Sequence, residues 1–240
     1  HAIINRDFSG WYIDIFGCFI QKGYFNIFWF FGALIIIYLF LPIIHRIYKT
    51  RVLSVIFLIL LVIASVTIYE ISVIRCCNGN SMISQNVIQT FRLWTHLTYF
   101  VGGAFLYRIR KRFSEVSACI IIPFLVIAIF VLVAYCFFMG TCVLSTSYAE
   151  YMYDAPVVIL ITSFLFIAFG AFKFHGNSLP ILSTATMGIY ILHYNFVYPV
   201  IKYFSSGNLA YVFMTPVLVF TIGLLVSIIL CQTRYVNKVI

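Results

Sequence analysis

Arg92 and His96 stand four residues apart in Phe91-Arg92-Leu93-Trp94-Thr95-His96-Leu97-Thr98-Tyr99, and a second histidine, His193, sits inside the apolar run Gly188-Ile189-Tyr190-Ile191-Leu192-His193-Tyr194-Asn195. On a helix, a spacing of four puts Arg92 and His96 on one face, and Tyr99 and Gly103 continue that stripe. An ionisable side chain within an apolar segment is costly and usually faces a bundle interior or a water-filled cavity, so each is a site candidate. Together they offer imidazoles for proton transfer, a guanidinium for an oxyanion or anionic substrate, and the phenols of Tyr99, Tyr190 and Tyr194 for sugar-like hydroxyls. The same residues also fit a plainer role, as neutral histidines bonded to a neighbouring helix and an arginine snorkelling to headgroups.

Other chemistries find less support. No carboxylate pair accompanies the set; Glu70, the one acid well inside an apolar run and near its outer end, either pairs with Arg75 or snorkels. No serine stands in a GxSxG or SxxK frame. The seven cysteines show no CxxC and no Cys/His spacing suited to zinc, so no metal site is expected. Cys76, Cys77 and Cys142 fall in breaks on one side, where a disulfide is one alternative. Gly102-Gly103-Ala104 reads as a point of close helix approach rather than a phosphate loop.

The elements that must position these groups follow from composition. Of 240 residues, 64% are hydrophobic and 9% charged, against about 25% charged in a soluble domain. A helix crossing a hydrocarbon core of about 30 Å needs roughly 20 apolar residues. The chain is nearly filled by such runs, which gives an all-α, polytopic membrane bundle forming a single domain over 1–240. Seven spans are expected, at about Phe25–Ile47, Val52–Ile74, Val87–Tyr107, Val116–Phe138, Pro156–Phe172, Leu182–Phe204 and Leu209–Cys231. Residues 1–24 are too polar for a span and read as an interfacial segment. No signal peptide precedes the first run, and the chain reads as a piece of something longer.

Alternate breaks and the C-terminal tail hold Arg46, Lys49, Arg51, Arg108, Arg110, Lys111, Arg112, Lys173, Arg234 and Lys238, ten of the 15 basic residues. By the positive-inside rule these breaks are cytoplasmic, as is the C-terminus, and residues 1–24 lie outside. The net charge of +9 is then a topology signal, and no nucleic-acid partner is expected. His96, near the outer end of its span, and His193, deep in another, come to similar heights and could line one cavity opening outward.

Three segments, in order, resemble the acyltransferase 3 family of multi-spanning membrane enzymes. Phe28-Trp29-Phe30-Phe31 through Tyr38-Leu39-Phe40-Leu41-Pro42 is similar to the family's Trp-Phe-Leu-x-x-Leu-x-x-x-Tyr-Leu-x-x-Pro helix, although Asn26 and Ile27 stand where a histidine often precedes it. Phe100-Val101-Gly102-Gly103-Ala104-Phe105-Leu106-Tyr107-Arg108 resembles the Phe-x-x-Gly-x-x-Leu-basic helix. Gly188-Ile189-Tyr190-Ile191-Leu192-His193 resembles the Gly-Ile-Tyr-Leu-Ile-His motif. The likeness covers about Tyr24 to Ile240. It implies about ten spans in a complete protein, with a catalytic histidine and companion arginine in a first helix that this chain lacks.

The resemblance further implies a bacterial plasma-membrane O-acyltransferase that moves an acyl group, acetyl above all, from acyl-CoA to a hydroxyl of a surface polysaccharide or glycolipid. Acyl-CoA, membrane lipid and a saccharide acceptor would be its partners, and no other cofactor is expected. His193, His96 and Arg92 would orient donor or acceptor. Trp29, Tyr38, Tyr99, Tyr190 and Asn195 would contact substrate. Arg108, Arg110, Lys111 and Arg112 would attract the CoA phosphates, or serve only as a topology cluster. A transporter or flippase of lipid-linked saccharides is the alternative, with the same polar stripe lining a path.

Overall fold

The computed structural model describes residues 16–21, 28–112, 118–145, 149–171, 185–186, 188–190 and 209–231. A helical turn, α1 (Gly17–Ile20), precedes the long helices α2 (Trp29–Lys49) and α3 (Arg51–Cys77). A short helix α4 (Ile83–Asn86) and a 3-10 turn over Gln89–Phe91 lead into α5 (Leu93–Ile109). Then come α6 (Ala118–Phe138), α7 (Pro156–Ala171) and α8 (Leu209–Cys231). Among the described residues there is no strand. This is a helical membrane bundle: α2, α3 and most of α6 are long and apolar enough to cross a bilayer, and α7 and α8 are shorter apolar helices.

The chain divides into two compact units, His1–Lys173 and Phe174–Ile240. In the first unit α2 and α3 form a hairpin with Thr50 alone between them, its N–H bonded to the Ile47 carbonyl. Arg46 and Lys49 lie in the last turn of α2, where cations offset the helix dipole. At the other end of α3, Asn78 and Gly79 turn the chain, and Gly79 takes a left-handed φ of 76° that glycine adopts without steric cost.

Packing inside the first unit is partly polar, as bilayer helices require when lipid offers no hydrophobic drive. The Ser65 and Thr98 hydroxyls lie 2.9 Å apart between α3 and α5, and both reach the Trp94 carbonyl. Ile37, Ile44 and Val101 form the apolar core among α2, α3 and α5. Leu39, Phe130 and Phe137 are more than two-thirds exposed, the pattern of side chains that meet lipid rather than water.

Several expectations are corrected. The third span does not start near Val87: residues 89–91 form a 3-10 turn and α5 begins at Leu93. Polar Gln89 and Thr90 are both buried there, and the Gln89 backbone N–H donates to the Gln21 side chain rather than along a helix. The disulfide alternative, the less favoured of the two, is not formed: Cys76, Cys77 and Cys142 are free thiols, and the Cys76 thiol reaches the Leu144 carbonyl at 3.8 Å. Of the two alternatives for Glu70, pairing with Arg75 is not the one seen: Arg75 donates to the Ser81 carbonyl, and Glu70 is exposed. Space does not force the glycine pair: a Cβ on Gly102 would make ordinary contact with Leu58, and one on Gly103 would meet nothing. Most of the expected sixth span, with His193 and Asn195, lies outside the described residues.

In the second unit, α8 packs against Ala185, Gly188 and Ile189. Ser227 donates to the Ala185 carbonyl at 2.9 Å, and a Cβ on Gly188 would collide with the Ser227 hydroxyl. The glycine of the Gly-Ile-Tyr motif therefore serves a helix crossing.

Candidate active site

The first turns of α5 and the start of α2 meet at the end of the bundle opposite the basic hairpin turn. The His96 ring stacks on Trp29 with centroids 5.6 Å apart and 28° between planes. Its Nε2 lies 2.8 Å from the Gln89 carbonyl oxygen. A carbonyl only accepts, so Nε2 carries the hydrogen, and in the neutral ring Nδ1 is left as the acceptor.

Gln89 is fixed in turn. Its amide oxygen accepts from Gln21 Nε2 at 2.6 Å, and its backbone N–H donates to Gln21 Oε1 at 2.7 Å. Residues 16–21 are thus tied, through Gln89, to the histidine. Gln21 itself takes a left-handed φ of 49° as it closes α1.

A turn ahead of α7, Tyr151 to Asp154, clasps the same end of α5. Asp154 is 7% exposed. Its Oδ2 accepts from Thr95 Oγ1 at 2.9 Å and Trp94 Nε1 at 3.0 Å, while Oδ1 is buried with no hydrogen-bond partner. Tyr99 donates to the Tyr153 carbonyl at 2.6 Å, and the Arg92 guanidinium lies over the Tyr151 ring at 5.4 Å. The first turn of α5 holds no acid of its own, so Asp154 supplies from another segment the negative charge that a helix N-terminus favours. Burial pushes its carboxyl above the ordinary carboxylate value, against the opposing pull of the Thr95 and Trp94 bonds and the Arg92 charge.

Beneath this layer a cavity of about 660 Å³ opens among α2, α5, α6 and α7. Trp29, Thr95, His96, Tyr99 and Tyr153 line its polar end, and Ala33, Leu34, Ile37, Phe100 and Leu132 its apolar walls. Two other cavities are far smaller, about 150 and 160 Å³.

The structure thus brings together Trp29, His96 and Tyr99 of the residues singled out by sequence. Arg92 adjoins them but is buried at 7% exposure, not snorkelling; its Nε donates to the Val87 carbonyl at 3.1 Å. Tyr38 is 55% exposed, away from the cavity. Tyr190, half-buried, belongs to the second unit. At the opposite end of α5, Arg108 donates to the Tyr48 carbonyl and stacks on its ring, Arg110 does the same with Tyr107, and Arg112 is exposed. Nothing is described of the Lys111 side chain.

Sequence reasoning missed Asp154, Gln89 and Gln21. Asp154 has a local signal, an acid two residues ahead of Pro156, but that pattern marks a helix start and says nothing of a partner in α5. The glutamines carry no signal at all.

Comparison with known proteins adds a family. A family model described as an acyltransferase domain matches residues 2–234. No curated protein and no solved structure matches the chain.

Proposed function

We propose a specific reaction for this chain, which belongs to the acyltransferase 3 family and is in general terms a membrane acyltransferase. It moves an acyl group, acetyl in the first instance, from acyl-CoA to a hydroxyl of a cell-surface polysaccharide or glycolipid, in a bacterial plasma membrane with the C-terminus cytoplasmic. The observation that carries the reading is His96, held in one tautomer by Gln89 and set against Trp29 at the polar end of the large cavity.

Acyl transfer to a hydroxyl needs a proton acceptor at the attacking oxygen and a positive or hydrogen-bonding environment for the carbonyl oxygen. The catalytic histidine that the family resemblance implies takes the hydroxyl hydrogen as the oxygen bonds to the thioester carbon, and His96, with Nδ1 as acceptor, orients donor or acceptor. The C–S bond then breaks, and the CoA thiolate takes up a proton. Trp29 offers a flat apolar face to a sugar ring, Tyr99 and Thr95 bound the pocket, and Arg92 places positive charge in the adjoining layer. His193, Tyr190 and Asn195 act from the C-terminal motif. Arg108, Arg110, Lys111 and Arg112 lie on the cytoplasmic side and attract the CoA phosphates.

The test compares O-acetyl signals in the NMR spectrum of the surface glycan from cells with the full-length gene, without it, and with His96→Gln. Loss of O-acetyl on an otherwise normal glycan without the gene is expected. His96→Gln is expected to reduce transfer by roughly 10²-fold through lost positioning at an unchanged membrane level. Loss of the whole glycan, with acetylation intact on what remains, would replace acyl transfer by transport.

A further inference from the structure

We propose that the large cavity holds the hydrocarbon chain of the transferred acyl group, so that the enzyme accepts donors longer than acetyl. This rests on the acyl-transfer reading above and concerns the same site. The cavity is amphiphilic: Thr95, His96 and Tyr99 stand at one end, and apolar walls run away from them along α2. Trp29 and Ile37 both line it and are eight residues apart, about 12 Å along a helix at 1.5 Å per residue.

An acetyl group would place one methyl beyond the carbonyl and leave most of about 660 Å³ empty. Ligand pockets of roughly 300–1,000 Å³ take molecules of drug size, and apolar cavities of even about 150 Å³ exclude water yet bind apolar guests. A thioester carbonyl beside His96 therefore directs its chain toward Ala33, Leu34 and Ile37. Each methylene buried there favours binding by about fourfold. In the reaction the hydroxyl oxygen bonds to the carbonyl carbon, the C–S bond breaks, the thiolate is protonated, and the chain stays in place until the ester leaves.

The experiment uses the full-length protein in membranes with acetyl-, hexanoyl- and decanoyl-CoA and a saccharide acceptor. Expected is a rise in kcat/KM with chain length of about fourfold per methylene until the cavity is filled. Ala33→Phe and, as a second variant, Leu34→Phe are each expected to lower the decanoyl-to-acetyl preference at least tenfold. Failure of the unaltered protein to turn over hexanoyl- or decanoyl-CoA, or variants that leave the ratio unchanged, would overturn the proposal.

A binding readout separates its failure from failure of the reaction itself. Cys136 also lines the cavity, so decanoyl-CoA is expected to slow its alkylation by an apolar maleimide at least tenfold, and acetyl-CoA not to. Such protection without turnover would sink the reaction but keep the chain site. Equal alkylation rates would remove the chain site. Protection by a lipid-linked saccharide and not by decanoyl-CoA would assign the hydrocarbon to the acceptor and overturn the proposal as stated.

Discussion

Replacing Thr95 by valine tests the clasp that holds the histidine-bearing end of α5. The two side chains have nearly the same shape, and Thr95 is 4% exposed, so the change deletes one hydroxyl and little else. That hydroxyl is one of two donors to Asp154 Oδ2, at 2.9 Å. A hydrogen bond to a charged group contributes about 1.5–3 kcal/mol and a neutral one about 0.5–1.5 kcal/mol. With the carboxylate ionised, Thr95→Val should therefore cost roughly 1.5–3 kcal/mol, or roughly ten- to hundredfold in the folding equilibrium.

The penalty depends on pH, and its sign follows from the direction of the Asp154 shift. Burial raises the carboxyl above its unfolded value. Its contribution to stability is then fully present below the unfolded value and is lost as pH rises through the folded one. In that window, starting at the ordinary carboxylate range and extending upward, the unaltered protein should lose stability with rising pH. Over the same window the Thr95→Val penalty should grow, because the bond it deletes gains charge. Denaturant titration of the purified protein in detergent, at several pH values and in both the native and Asp154→Asn backgrounds, measures both effects. A Thr95→Val penalty that is the same at every pH, and the same in the Asp154→Asn background, would refute an ionised Asp154 as the partner of Thr95.

Two further outcomes are expected. Gly188→Ala should destabilise the protein by about 1–3 kcal/mol through overpacking, since its new methyl would meet the Ser227 side chain; Ser227→Gly should recover most of that loss, measured by denaturant titration, and no recovery would mean the crossing is not set there. In intact cells an impermeant maleimide should label Cys77, an exposed free thiol, and leave Cys231 unlabelled, judged by mass spectrometry of the labelled peptides; the reverse pattern would invert the membrane orientation.

The helical architecture was legible in the sequence because an apolar run of bilayer length has few alternatives: once water is absent, each backbone group must be satisfied within its own helix. The end of α2, the start of α3 and the start of α7 agree with hydropathy and turn residues to within about two residues. The start of α5 was not legible, since Val87 to Phe91 is apolar enough to extend a span, and the buried turn at Gln89 and Thr90 is held by a partner 68 residues away in the chain.

The candidate site divides along the same line. His96 and Arg92 could be picked out from sequence, because an ionisable group in an apolar run is conspicuous wherever it points. That His96 lies against Trp29, that Gln21 and Gln89 set its tautomer, and that Asp154 caps α5 from the turn before α7 are matters of which segments meet. A glutamine or a loop aspartate has the same composition whether it faces solvent or closes a site; only the packing of α2, α5 and α7 decides which. The sequence by itself thus determined the solvent this chain lives in and the residues costly to bury there. Tertiary structure decided their partners and the cavity beneath them, because hydrogen bonds and voids are properties of pairs of elements and not of any one stretch.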